Sequence, residues 1–521
     1  MDTRLPSSHP WSLTVGRVCR HLAFALVLQL AILVHLDSVL WVGPVIPWDD
    51  IAFVERSLLN LDWLRGWRSG PLLHAPLGDL QTLMGMGASG FDFRAPYLLN
   101  FPHVAALTLF ISYYLRSFSR PVRLSATLAV LVFAPTFMLT TQLKSDYKGG
   151  LYFSMATLLL FEPGVRDLVS WKRVAVIAAC FLLALFAKMT AVYVPAIVLG
   201  TVGLHYLRSV GWKLPESSSG SLARYVGLSV CLVTGYGALL AIQWDHLVEY
   251  VRWALSDKWS DPRHPGLGHY LFYTPFGESG RYWWVQAALA GALFCSAVFR
   301  GGARYRREVL CVALVALTFW VPLLRNSNYN VDFGSYFYYS VVAVLFIGLR
   351  SWLDARPHGS SGPVPRWVLV AAPLAAVLSF RSPLLERREW GHLEGGDAAL
   401  TQISNAIHDA RSGLRVTFLF DSLVLPHPNL SVNHRLAHGR LLAMNRVDAF
   451  EEVAAALGST DFAVALDAVS FPALVDLPQW TANVRRTEVV ELLDADPRAQ
   501  LMDTYPVHGG SLRLYRIGRA R

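Results

Sequence analysis

The feature that most restricts this chain is a series of apolar stretches about 15 to 20 residues long. That length carries a helix across a roughly 30 Å hydrocarbon core. The first stretch, 22–42, follows Arg17 and Arg20 and ends in Val42-Gly43-Pro44 without a small-x-small cleavage site. It therefore reads as a retained helix and not a signal peptide. With 54% hydrophobic and only 16% charged residues over 521 positions, and a mean hydropathy of +0.37, the chain is too apolar for one soluble domain.

The stretches predict about eleven spans, at 22–42, 98–115, 124–142, 150–162, 174–187, 190–206, 225–244, 282–299, 309–324, 333–349 and 367–380. The fifth and sixth are nearly continuous in sequence. As one helix at about 1.5 Å per residue they would run to roughly 50 Å, too long for the core. The flanking loops 163–173 and 207–224 are both basic. They share the cytoplasmic side only if the chain turns back at Lys188-Met189-Thr190. With the N-terminus inside, the inside loops carry roughly twice the Lys and Arg density of the outside loops. The formal charge of +9 thus follows membrane orientation and does not indicate a nucleic-acid partner. All five cysteines lie in or beside apolar runs, so they read as small packers, not as a disulfide framework.

The expected fold class is a polytopic α-helical membrane protein over 1–383, with a first outer loop at 43–97, and a C-terminal extracytoplasmic α/β domain over 384–521. In that second part, helical spacing at 397–411, 448–457 and 483–494 alternates with strand-like runs at 415–421, 461–466, 499–505 and 511–517. Asp397 reads as the N-cap of the first of these helices.

The residues with chemical potential gather at the outer side. Trp48-Asp49-Asp50 places two adjacent carboxylates just beyond the first span. Solvated carboxylates capping a helix from about residue 51 are the plain reading. The sharper one is a general base that takes a proton from an acceptor hydroxyl. His74-Ala75-Pro76-Leu77 follows, with a Pro-Leu step that opens a helix, and then Arg94-Ala95-Pro96 enters the second span. Lys144, Lys148, Lys188 and Arg325 all fall at the outer interface under this topology. Snorkelling is an alternative role for the first two, whereas a lysine between two apolar runs is costly and marks a functional candidate. No metal or cofactor signature is evident; a divalent site of Asp49, Asp50 and Asp146 is the weaker alternative.

An acidic pair after the first helix, a His-x-Pro-Leu step and an Arg-x-Pro before span two resemble GT-C class glycosyltransferases, of the protein O-mannosyltransferase and aminoarabinose transferase type. Ser145-Asp146-Tyr147-Lys148 is similar to that family's short acidic outer loop, and Ala187-Lys188-Met189 to its Lys-centred turn. Gly509-Gly510-Ser511-Leu512-Arg513-Leu514-Tyr515 is similar to the last hairpin of its soluble domain. The motifs are dense over 45–206 and sparse after 225. Two departures stand out. Ala75 occupies a place where some relatives carry a lysine, and Arg325-Asn326-Ser327-Asn328-Tyr329 departs from the expected Lys/Arg-Tyr pattern.

The resemblance implies an inverting hexosyl- or pentosyltransferase at the outer face of a bacterial inner membrane, moving a sugar from a polyprenyl-phosphate donor to a cell-envelope acceptor (glycan, lipid or protein). Asp49 would be the base with Asp50 as neighbour or substitute. Lys144, Lys148, Lys188 and Arg325 would meet the donor phosphate, and His74, Asp146, Tyr147 and Tyr329 the substrates. Rival readings are a transporter or flippase of lipid-linked sugars, and a non-catalytic membrane subunit with a periplasmic interaction domain.

Overall fold

The computed structural model describes residues 15–39, 50–66, 76–131, 136–211, 219–254, 288–325, 334–355, 394–410, 415–471 and 479–518, with short breaks inside several of these blocks. The expected span at 367–380 lies outside them, as do Asp49, His74, Lys144 and Tyr329.

Helix α1 (Val15–Val39) contains the first span. The outer loop, expected as mixed structure, holds two full helices, α2 (Asp50–Leu64) and α3 (Pro76–Ser89), and a short α4 (Ala95–Leu98). Proline supplies the opening of α3 and of α4, where its missing N–H costs nothing and its fixed φ suits the first turn. The bundle continues through α5 (Phe101–Tyr114), α6 (Arg120–Leu131), α7 (Asp146–Leu160), α8 (Trp171–Ala187) and α9 (Val194–Ser209). It closes with α10 (Ser219–Ala254), α11 (Gly302–Arg325) and α12 (Ser335–Asp354). The apolar stretch 174–206 is two helices, broken after Ala187 where Lys188 leaves the helical region (φ −148°, ψ 87°). Among the described residues four helical segments are both long and apolar enough to cross a bilayer: Val15–Val34, Ala95–Tyr114, Ser221–Asp245 and Ser335–Asp354.

Helix α7 is the centre of the bundle, with all fifteen residues buried. It approaches α12 through Gly149 and Gly150. A Cβ on Gly150 would lie 2.5 Å from the Ser335 carbonyl oxygen, and one on Gly149 2.2 Å from the Tyr336 hydroxyl. Small residues let helix backbones close to van der Waals distance in lipid, where no hydrophobic force drives helices together.

The C-terminal part is a five-stranded sheet in the order β2-β1-β3-β5-β4, with β1 (Arg415–Phe418), β2 (Ala443–Arg446), β3 (Phe462–Asp467), β4 (Ala499–Val507) and β5 (Gly510–Ile517). The first three are parallel and the last two antiparallel. Along β3, Phe462, Val464 and Leu466 pack on one face with α13 (Gly396–Asp409), while Ala463 and Ala465 pack on the other with α15 (Arg486–Ala495), the two-residue alternation of a strand covered on both sides. Three features depart from the sequence expectation. Strand β2 and helix α14 (Pro428–His438) had no sequence signal, because Ala443–Arg446 is half exposed and lacks an apolar repeat. The N-cap of α13 is Gly395 at φ 80°, so Asp397 sits inside the first turn. There its charge favours the positive end of the helix.

Helix α14 joins the two parts. Val432 packs with Ile51, Val54, Leu58, Met86 and Leu143, and Arg435 Nη2 meets Asp62 Oδ1 at 2.6 Å. The sheet domain thus seats on α2 and α3, next to the acidic corner.

Substituting Gly150→Ala should destabilise the bundle by about 1–3 kcal/mol through overpacking. Gly203→Ala on α9, where nothing lies within 4 Å of the added methyl, should be neutral or slightly stabilising. Thermal unfolding of the two detergent-purified variants by intrinsic fluorescence checks the contrast.

Candidate active site

Asp50 opens α2 and is 6% exposed. Tyr97, which the Arg94-Ala95-Pro96 turn carries into α4, donates its hydroxyl to Asp50 Oδ2 at 2.8 Å. The Leu143 backbone N–H donates to Oδ1 at 3.1 Å. The Leu143 carbonyl in turn accepts from Lys148 Nζ at 3.2 Å. One residue, Leu143, therefore lies between the carboxylate and the ammonium, its N–H turned to the first and its carbonyl to the second.

Lys148 is fully buried in the first turn of α7. Its ammonium also donates to Gln81 Oε1, at 2.9 Å. The Gln81 amide nitrogen donates to Pro96 O at 2.9 Å and Asn100 Oδ1 at 2.8 Å, which leaves its oxygen for Lys148 and for His103 Nε2 at 3.1 Å. The network closes with His103 protonated on Nε2 and accepting at Nδ1 from the Tyr152 hydroxyl, at 2.7 Å. A lysine inside a helical bundle is held this way only where polar groups and carboxylates surround it. Asp50, Asp146 and Asp79 are the carboxylates that act on it electrostatically.

Two further ion pairs flank the corner. Arg56 Nε meets Asp79 Oδ1 at 2.7 Å, with Asp79 fully buried, and Lys188 Nζ pairs with Asp146 Oδ1. The turn that splits 174–206 thus delivers its lysine to the start of α7. Gly85 allows α3 to lie against the Arg-x-Pro turn, since a Cβ there would fall 2.6 Å from Pro96.

Of the residues singled out from the sequence, Asp50, Asp146, Lys148 and Lys188 meet in one region at one end of the bundle. Lys148, read as facing a donor phosphate, instead points inward to Gln81 and Leu143. Tyr147, read as a substrate contact, is 2% exposed within the main apolar core. Arg325 ends α11, with its side chain outside the described residues. Sequence reasoning missed Arg56, Gln81, Tyr97 and His103. Tyr97 lies one residue past the Arg-x-Pro step and Gln81 five past Pro76, so the motifs pointed at the right turns; nothing local distinguishes Arg56 or His103.

Glu55, half-buried on α2, shows a perturbed titration. Burial pushes its carboxyl up to about 7, with Arg56 pulling the other way.

Arg116, Arg173 and Arg350, assigned from the sequence to inside loops, gather at the opposite end of the same helices around Glu162, which follows α7. The chain therefore separates its charged groups into two layers, one at each end of α7.

Among solved structures, the chain is similar to the arabinofuranosyltransferase AftD from mycobacteria, at 14% identity and a TM-score of 0.52, with 98% of this chain and 42% of AftD covered. It is also similar to ArnT from Cupriavidus metallidurans, at 13% identity and a TM-score of 0.56, with 96% of this chain and 98% of ArnT covered. The fold is that of GT-C glycosyltransferases. The chain spans less than half the length of AftD but nearly all of ArnT, so the GT-C bundle and the sheet domain behind it both have counterparts there. No protein-family model matches the chain, and no curated protein sequence does.

Because Glu55 prefers its neutral form when folded, its contribution to stability is present at low pH and is lost as pH rises through about 7. The melting temperature of wild type should therefore fall between about pH 5 and 8 relative to Glu55→Gln. Parallel melting curves for the two proteins would refute this by keeping a constant offset across that range.

Proposed function

We propose that this chain is a glycosyltransferase that moves a sugar from a polyprenyl-phosphate donor to an acceptor hydroxyl at the outer face of a bacterial inner membrane, with inversion at the anomeric carbon. The observation that carries the reading is the acid corner: a carboxylate locked by Tyr97 and the Leu143 N–H at the start of α2, flanked by the Lys188–Asp146 pair, on a GT-C bundle. The supporting resemblance is one of fold, to an arabinofuranosyltransferase and to ArnT.

The two acids take different roles. Both oxygens of Asp50 already accept hydrogen bonds inside the protein, so Asp50 anchors the corner and orients the residue before it. Asp49 is the base. Its carboxylate takes the proton of the acceptor hydroxyl as that oxygen attacks the anomeric carbon. The bond from that carbon to the phosphate oxygen breaks on the opposite face, and its electron pair stays on the departing polyprenyl phosphate. Cations that meet this growing charge lower the barrier. Lys188, Lys144 and Arg325 fill that part, with Lys188 exchanging Asp146 for the phosphate. Lys148 has the separate task of holding the Leu143 peptide against Asp50. His74 and Tyr329 remain the proposed substrate contacts, and the sheet domain, seated on α2 through α14, lines the acceptor side. The membrane orientation follows from the loop charges, with the N-terminus cytoplasmic.

Asp49→Asn should lower transfer by about 10²- to 10⁴-fold, the range for loss of a positioned base, with an unchanged melting temperature. Asp50→Asn should lower both transfer and melting temperature. Purified protein supplied with radiolabelled polyprenyl-phosphate arabinose and, separately, polyprenyl-phosphate mannose, together with a cell-envelope extract as acceptor, gives the readout. Wild-type transfer rates from an Asp49→Asn protein would remove the mechanism.

A further inference from the structure

The end of the bundle opposite Asp50 holds a charge arrangement that sugar transfer does not use. Glu162, 2% exposed, sits just beyond α7 and receives three guanidinium groups from three other helices. Arg116 Nη2 reaches Oε1 at 3.0 Å and Arg173 Nη1 reaches Oε2 at 3.0 Å, while Arg350 Nη1 stands at 3.5 Å from Oε1. Arg173 also donates to the Leu159 carbonyl. Arg116 donates to the Tyr113 carbonyl and lies over the Tyr113 ring at 4.3 Å, and Arg350 lies over the Tyr114 ring at 5.2 Å. The aromatic faces fix the planes of two of the three forks.

The charges do not cancel. Arg350 feels a second carboxylate, Asp354, one turn on and exposed, which itself accepts from the Tyr305 hydroxyl. Even with Asp354 counted, three guanidinium groups face two carboxylates. Arg173 is 4% and Arg350 9% exposed, and the Nε of each is buried with no hydrogen-bond partner among the described residues. A surplus cation with unmet donors is costly in a poorly solvated site and draws in an anion. Planar guanidinium forks match the tetrahedral oxygens of a phosphate. The cluster opens outward through Arg116, whose side chain is 38% exposed. Trp171, 57% exposed two residues before Arg173, marks the depth of the lipid headgroups.

We propose that Arg116, Arg173 and Arg350 form a phosphate-binding site between the ends of α5, α8 and α12, at the membrane surface opposite the acid corner. The phosphate comes from the headgroup of an anionic phospholipid or from free phosphate in solution. Basic pockets between spanning helices on the cytoplasmic side are suited to headgroups of this kind. Occupancy ties these three helix ends together. The site is independent of the proposed transfer reaction.

The test compares purified full-length protein in nanodiscs of phosphatidylcholine alone, in nanodiscs that also contain phosphatidylglycerol, and in phosphatidylcholine nanodiscs with added inorganic phosphate. The melting temperature should rise with phosphatidylglycerol, and Arg116→Gln should remove at least half of that rise. Arg120→Gln, which removes an exposed charge at the start of the next helix, α6, should leave the rise intact. Glu162→Gln should start from a lower melting temperature yet show a larger rise, because it takes away the competing carboxylate. A rise with inorganic phosphate alone assigns the site to the free ion; a rise with phosphatidylglycerol only assigns it to the headgroup. Either equal losses in Arg116→Gln and Arg120→Gln, or no rise in any arm, would overturn the proposal.

Discussion

A charge inside an apolar helical bundle must be met by an opposite charge or by aligned dipoles, because the surrounding medium supplies neither. Lys148 is where this requirement is sharpest. Its ammonium is fully buried at the start of the most buried helix, and it is met by Gln81, by the Leu143 carbonyl, and by the field of three carboxylates. Meeting it brings α3, α5 and α7 to one point: Gln81 comes from α3, His103 from α5 and Lys148 from α7. Leu143, whose carbonyl accepts from Lys148, donates its own N–H to Asp50. The position of α2 thus depends on how the bundle solves the problem of one interior lysine.

The sheet domain adds to this corner from outside. Its contact uses Val432, inserted among the apolar residues of α2, α3 and the chain before α7, and the Arg435–Asp62 pair at the rim. An apolar centre with a charged pair beside it resembles a small, specific interface. The acid corner is therefore enclosed by spanning helices below and by a folded domain beside it.

Much of the architecture was legible in the sequence. Apolar run length marked α1 and α5 to α12 but not α2, α3 or α4, and loop charge required the break at Lys188 that the structure shows. Alternation marked β1, β3, β4 and β5. Strand β2 escaped because it lies at the sheet edge, where neither face is buried enough to impose a pattern. In the site, the Asp-Asp, Pro-Leu and Arg-x-Pro steps mark Asp50, the opening of α3 and the turn that carries Tyr97, while the burial of Lys148 and Tyr147 was not legible. Both stand in a tetrapeptide that looks like an exposed polar loop, and both are interior because the tetrapeptide is the first turn of a central helix.

What the sequence determined by itself was what local hydropathy and loop charge control: a membrane class, the break at Lys188, and an α/β region at the end. These follow from transfer energies and from periods of 2 and 3.6 residues, which need no knowledge of neighbours in space. What only the tertiary structure decided was the pairing of polar groups distant along the chain. Asp50 meets Tyr97 and Leu143, Asp146 meets Lys188, Glu162 meets Arg116, Arg173 and Arg350, and Asp62 meets Arg435. Such pairs depend on the rotation and depth at which helices pack. That register is set by contacts such as Gly150 against Ser335 and Gly85 against Pro96, which no stretch of the sequence encodes alone.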